Sequence, residues 1–335
     1  MELLALFPLS LQAVPTSTSN VSEMRPSFRN RVLFLEQRKV EMNDPAIEQL
    51  PSVQNIIWRT EDPAMKWIER STELIGDWRS FLRSVYMRWA ITINALHVAR
   101  DRYAADPDIA LTVDTLRPSP KGPRRVHLAV WPGPQAAENY QASIPLMAAY
   151  GVQDLYGALE EVVFALYEIF IEAHPDLLMR GNDYKTLRKL YRAKDTCKAA
   201  SAAYDAAWRE RVDTWRRKRA YDGLHRVFAA FWNAAGLKRP SWFELSDIED
   251  WSKAIETIAL IRHLIVHGED EVPDRLGELS KEQPHLRLRF TTGEKLEVDL
   301  IKLMIVEEFL DKLLTTINAS LIERALGKPM PMPQV

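Results

Sequence analysis

Between residues 61 and 105 apolar side chains return at spacings of three, four and seven, the period of one face of an α-helix. Trp67, Leu74, Trp78, Phe81, Val85, Trp89 and Leu96 form that stripe, with the three tryptophans eleven residues apart, and predict one helix of about forty residues. Asp62 is placed to cap its start and Pro63 to occupy its first position. An aromatic stripe at this period is packing material rather than a cofactor box. After it, "DIALTVDTL" and "RRVHLAVW" alternate with period two, which predicts a small hairpin over 109–131.

From about residue 140 the apolar positions become denser. The run "SIPLMAAYGVQDLYGALEEVVFALYEIFIEAH" predicts a long helix ending before Pro175, residues 183–220 predict a second and longer helical segment, and "GLHRVFAAFWNAAG" predicts a short third that Gly236 stops. Ser246 and Glu249 have capping-box spacing at the start of the next helix, whose buried stripe is expected at Ile248, Trp251, Ile255, Ile258 and Ile265. "LRLRF" and "KLEVDL" flank a turn at Gly293 and predict a strand pair, and "LIKLMIVEEFLDKLLTTINASLIERA" predicts a closing helix. The expected fold is therefore mainly α. It comprises a helical bundle over 140–327 with a small β-hairpin before the last helix, a helical N-terminal region over 1–135 with a long Trp-rich helix, and a tail over 328–335. No repeat at a solenoid period interrupts this pattern.

Composition narrows the function classes. With 335 residues, 47% apolar and 27% charged, the chain can bury a core without disulfides. Its single cysteine, Cys197, cannot form an intramolecular bridge and is expected as a small buried or half-buried hydrophobe. The N-terminal "MELLALFPLSLQAV" lacks a basic leader and is broken by Pro8 and Gln12, so it does not read as a signal peptide. No run of 18 or more apolar residues suggests a membrane span, and the expected location is the cytoplasm.

A net charge of −2 gives no overall nucleic-acid signature. Residues 183–219, however, hold 12 Lys or Arg against 5 Asp or Glu. Such a run reads as a solvated helix face or as a surface that tracks phosphates; Lys185, Arg188, Lys189, Arg192, Arg216, Arg217 and Arg219 are the candidate RNA-binding cations.

The stretch that invites chemistry is "ALIRHLIVHGEDEVP" at 259–273. Four residues beyond Ile258 the stripe asks for an aliphatic side chain and meets Arg262, whose guanidinium would then need an anion or a carboxylate such as Glu160, Glu161 or Glu256. His263 and His267 lie four apart, one turn from each other, and Gly268 ends the helix, so a protonated His267 would be favoured by the helix dipole. Three readings follow: a structural arginine with satisfied histidines, a metal site on the histidine pair, or a phosphate-binding arginine beside a proton-transferring histidine. The metal reading lacks the glutamate of H-E-x-x-H and any nearby cysteine, and neither metal nor cofactor is expected.

"RHLIVHG", near the end of an apolar helix and followed by an acidic loop, a glycine turn and one final helix, resembles the motif of the HEPN superfamily. That motif is an arginine, a polar Asn, Asp or His, three or four residues, and a histidine; here these positions are Arg262, His263 and His267. Many members have asparagine both in the polar slot and after the histidine, where this chain has His263 and Gly268. The resemblance covers about residues 140–327. It implies a metal-independent endoribonuclease of toxin–antitoxin, abortive-infection or CRISPR-associated defence systems, a homodimer whose two motifs face one cleft, and RNA and an antitoxin or other regulatory protein as partners. His267 would then move protons, Arg262 hold the phosphate, and His263 orient or contact RNA. Two rival readings are a HEPN-like module that binds RNA, nucleotide or protein without cutting, and an adaptor centred on the Trp-rich helix.

Overall fold

A computed structural model describes residues 55–243, 246–283 and 286–330. The N-terminal "MELLALFPLSLQAV" segment and the last five residues of the tail lie outside them. Among the described residues the chain is mainly α-helical, with α1 (Lys66–Ala105), a hairpin of β1 (Ala110–Arg117) and β2 (Arg124–Pro132), then α2 (Gly133–Ala173), α3 (Lys185–Ala193) and α4 (Lys198–Ala220). There follow α5 (Leu224–Ala234), α6 (Ile248–His267), α7 (Asp274–Glu282) and α8 (Leu300–Leu326). The chain divides into two compact units, one containing residues 84–151 and 297–303, the other 55–83, 152–296 and 304–330.

In the first unit the hairpin pairs Ala110 with Pro132 and Arg117 with Arg124, with one irregularity between Val113 and Asp114. It lies where the period-two alternation placed it. Gly133 begins α2 where only glycine fits, since a Cβ would sit 2.3 Å from the Asp106 carbonyl oxygen.

In the second unit an aromatic cluster forms part of a largely aliphatic core. Phe231 is fully buried and its ring lies 5.7 Å from Tyr167 and 6.4 Å from Phe170, while Trp67 meets Phe170 edge-on at 5.1 Å and Trp215 meets Tyr167 at 4.9 Å. Asp62 caps the turn that opens α1, its carboxylate accepting the Ala64 N–H, with Pro63 first inside.

Several local expectations shift. The most deeply buried line of α1 runs through Ile68, Ile75, Leu82 and Ile93, one residue along from the Trp67–Leu74–Phe81 line; Trp67 and Val85 are buried, Trp78, Trp89 and Leu96 are half-buried, and Phe81 is exposed. Neighbouring seven-residue lines are equally periodic, and the slimmer aliphatic one takes the centre while Trp78 and Phe81 shield each other edge-to-face at its margin. The segment expected to be one helix over 183–220 breaks into α3 and α4, and Cys197 is exposed at the break, where its Sγ caps α4 by accepting the Ala200 N–H.

At α6 the cap is Asp247, not Ser246. Its carboxylate accepts the Glu249 and Asp250 N–H groups while Asp250 takes the Asp247 N–H, so a negative charge faces the positive end of the helix. Ser246 instead accepts the Trp251 indole N–H at 2.7 Å.

Before α8, the Gly293 turn is present with φ 78°, but the residues flanking it do not pair with each other as strands. The bonding goes elsewhere: Ser280 of α7 accepts the Phe290 N–H and donates to the Leu288 carbonyl, and Val272 and Asp270 bond to Gly293, Glu294 and Leu296, leaving one isolated bridge between Glu271 and Lys295. Among the described residues the small hairpin is β1–β2.

A half-buried carboxylate makes the second unit sensitive to pH. Burial first, then the neighbouring charge of Asp311, push Glu307 up to about 7 despite Arg83 and Arg79; Asp311 itself is ion-paired to Arg79 at 2.8 Å. A carboxyl raised on folding contributes stability below its ordinary unfolded range and loses it as pH rises through the folded value, here about 3 kcal/mol in all. Glu307→Gln should flatten this slope, with unfolding midpoints above those of the wild type at about pH 8. Equal slopes in denaturation series across pH would contradict it.

Candidate functional site

The buried stripe of α6 is Trp251, Ala254, Ile255, Ile258, Ile261 and Leu264. Arg262 therefore does not occupy a core position, as the sequence spacing suggested, but is exposed. From Ile258 a step of three is as helical as a step of four, and the core takes Ile261 because burying it requires no counter-charge. Arg262, His263, Val266 and His267 are all exposed, and at 100° per residue they span one contiguous arc on the last two turns. The His263 and His267 rings lie 4.3 Å apart at 51°. Gly268 follows at φ 70°; its N–H bonds to the Ile265 carbonyl and that of Glu269 to the Leu264 carbonyl, a Schellman stop that fixes His267 at the helix end.

The carboxylates considered as partners for Arg262 are largely engaged with other groups. Glu161 binds Arg216 and Glu256 binds Arg275, so among the described residues Arg262 forms no ion pair. Tyr156, buried on α2, senses both charges that remain nearby. Its phenol is pushed up to about 12 by burial first and by Glu160, and Arg262 pulls it back. Sequence reasoning named Glu160 but missed Tyr156, although their i, i+4 spacing on α2 was readable.

The basic segment separates into two groups. Arg216 bridges Glu161 at 2.6 Å and Glu168 at 3.1 Å and lies over the Phe164 ring, Arg188 donates to the Met179 and Gly181 carbonyls, and Arg219 pairs with Asp222. Those three are structural fasteners. Arg217 is exposed but donates locally to Asp213 and Thr214 on its own helix. Lys185, Lys189 and Arg192 recur at steps of four and three on α3, all exposed and without ion pairs among the described residues.

No group of three or more His, Cys, Asp or Glu side chains comes together among the described residues as a metal site would require, and no described helix is long and apolar enough to cross a membrane. Comparison with protein-family models, curated proteins and solved structures finds no match. The mainly helical bundle is consistent with a HEPN-like fold.

Proposed function

We propose that this chain is a metal-independent endoribonuclease of the HEPN type, acting in a toxin–antitoxin or anti-phage setting. The observation that carries the reading is the exposed arc at the end of α6, where a guanidinium without an ion pair among the described residues and two imidazoles share one rigid face. In the reaction the ribose 2′-oxygen attacks the adjacent phosphorus, the bond to the 5′-oxygen breaks, and a 2′,3′-cyclic phosphate and a 5′-hydroxyl are left. A base must take the 2′ proton and an acid must supply one to the leaving oxygen. One arc offers Arg262 for the phosphate and His267 for one proton transfer. Two arcs related by a two-fold axis offer both transfers and two guanidiniums. Val266, 47% exposed between the histidines, gives such a pairing an apolar contact.

The direct test is incubation of purified protein with a labelled structured RNA and with the same strand carrying 2′-deoxyribose throughout. Cleavage of the RNA alone, insensitive to chelator and ending in cyclic phosphate, is the expected result. Cutting of the deoxy strand, or chelator-sensitive cutting, would refute the mechanism. Saturable RNA binding with no cleavage would favour the non-catalytic module.

The exposed cations of α3 would guide the RNA backbone. Replacing Lys185, Lys189 and Arg192 by glutamate should weaken RNA binding and reduce the slope of log affinity against log salt by about 2, if each cation neutralises one phosphate of a single strand. The same slope in wild type and variant would remove α3 from the interface.

A further inference from the structure

Against the N-terminal half of α6 lies a cavity of about 390 Å³, bounded also by α8 and by Gln283, Leu286 and Arg287. Its floor is apolar, since Trp251, Ala254, Leu286 and Leu313 are each at most 4% exposed. Among them Gln283 brings a polar side chain that is 4% exposed, and its Nε2 has no hydrogen-bond partner among the described residues. A buried amide donor left unbonded is unfavourable, and a molecule in this cavity with an acceptor oxygen would complete the bond.

The charges at the mouth are mostly satisfied. Asp250 is held in the α6 cap, and Glu308 and Lys312 pair with each other. Arg287 is not: it is exposed, forms no ion pair among the described residues, and sits at φ 55°, the one positive value at a non-glycine residue in the described backbone. A left-handed backbone at arginine is unfavourable and persists where the surroundings hold it, a feature that gathers at ligand clamps. The cavity thus offers an apolar slot, one buried donor and one cation at the entrance. Its volume is at the small end of ligand pockets, enough for a two-ring body and one charged group.

We propose that this cavity is a binding site for a small aromatic carboxylate. Its ring packs against Trp251 and the aliphatic floor, an acceptor oxygen takes the Gln283 amide hydrogen, and the anion meets the Arg287 guanidinium. This site is separate from the arc at the other end of α6 and does not depend on the ribonuclease reading.

The test uses the full chain and fluorine NMR with two probes of the same shape, a fluoronaphthoate and its neutral fluoronaphthamide. Saturable broadening of the naphthoate signal is expected. Arg287→Asn, a replacement that tolerates the left-handed backbone, and exchange of carboxylate for amide should each weaken binding about tenfold or more. Ala254→Phe, which fills the slot, should abolish binding. The proposal is overturned if the naphthoate does not bind saturably, if Arg287→Asn binds it as the wild type does, or if the amide binds equally well. Should Ala254→Phe fail to fold, the Arg287 variant and the probe pair still decide.

Discussion

Replacing His267 with alanine is expected to slow cleavage of a structured RNA by about 10²–10⁴-fold, the contribution of one positioned acid or base. The side chain is exposed at the end of α6, so its removal empties no core site. A side chain at a helix end contributes at most about 0.3–1 kcal/mol to folding through the helix dipole. A large loss of rate with an almost unchanged unfolding curve is therefore the signature of the proposed role. Arg262→Ala should have a comparable effect on rate, and Arg262→Lys should restore the charge without the planar fork that grips two phosphate oxygens, giving only partial recovery. His263→Ala should be milder, since that ring is assigned to contact rather than proton transfer. Single-turnover rates and circular dichroism melts on the same preparations separate the outcomes. Wild-type rates in both the Arg262 and His267 alanine variants would end the ribonuclease reading.

The second large effect concerns the core. Phe231→Ala should destabilise the protein by about 3–5 kcal/mol, because a fully buried ring that contacts Tyr167 and Phe170 leaves a cavity its neighbours only partly close. At eleven residues, α5 is too short to be stable by itself and is held by this packing. Denaturant titration should show a lower midpoint with the slope preserved. A loss below about 1 kcal/mol would mean that the aromatic cluster is not the centre of its unit.

Elements whose signals are local were readable in advance. The long α1 with Asp62 and Pro63 at its start, the period-two hairpin, and the glycine stop after His267 depend on neighbours within a few residues, and each is found where the pattern placed it. Choices between equally periodic alternatives were not readable. Whether Ile261 or Arg262 faces the core, and whether the Ile68 or the Trp67 line lies deepest, turn on what another segment supplies; whether Asp247 or Ser246 caps α6 turns on the Trp251 indole, which claims the Ser246 hydroxyl.

The basic run shows the same boundary. Its composition was plain, yet only the fold separates Arg188, Arg216 and Arg219, which bind carbonyls and carboxylates of the protein, from Lys185, Lys189 and Arg192, which face outward. Likewise the β-prone segments around Gly293 carry an adequate strand pattern, but Ser280 and the 270–272 backbone take the hydrogen bonds that strand pairing would have used.

The sequence by itself determined the mainly α character, the Asp62 start of α1, the glycine stop of α6, and the composition of the Arg262, His263 and His267 motif, because periodicity and turn chemistry act over one or two helical turns. Only the tertiary structure decided that these three side chains are exposed together, that Arg262 has no ion pair among the described residues, and that Gln283 and Arg287 border one cavity. Exposure and pairing are set by residues far apart in the chain, and helical spacing cannot say which neighbour arrives.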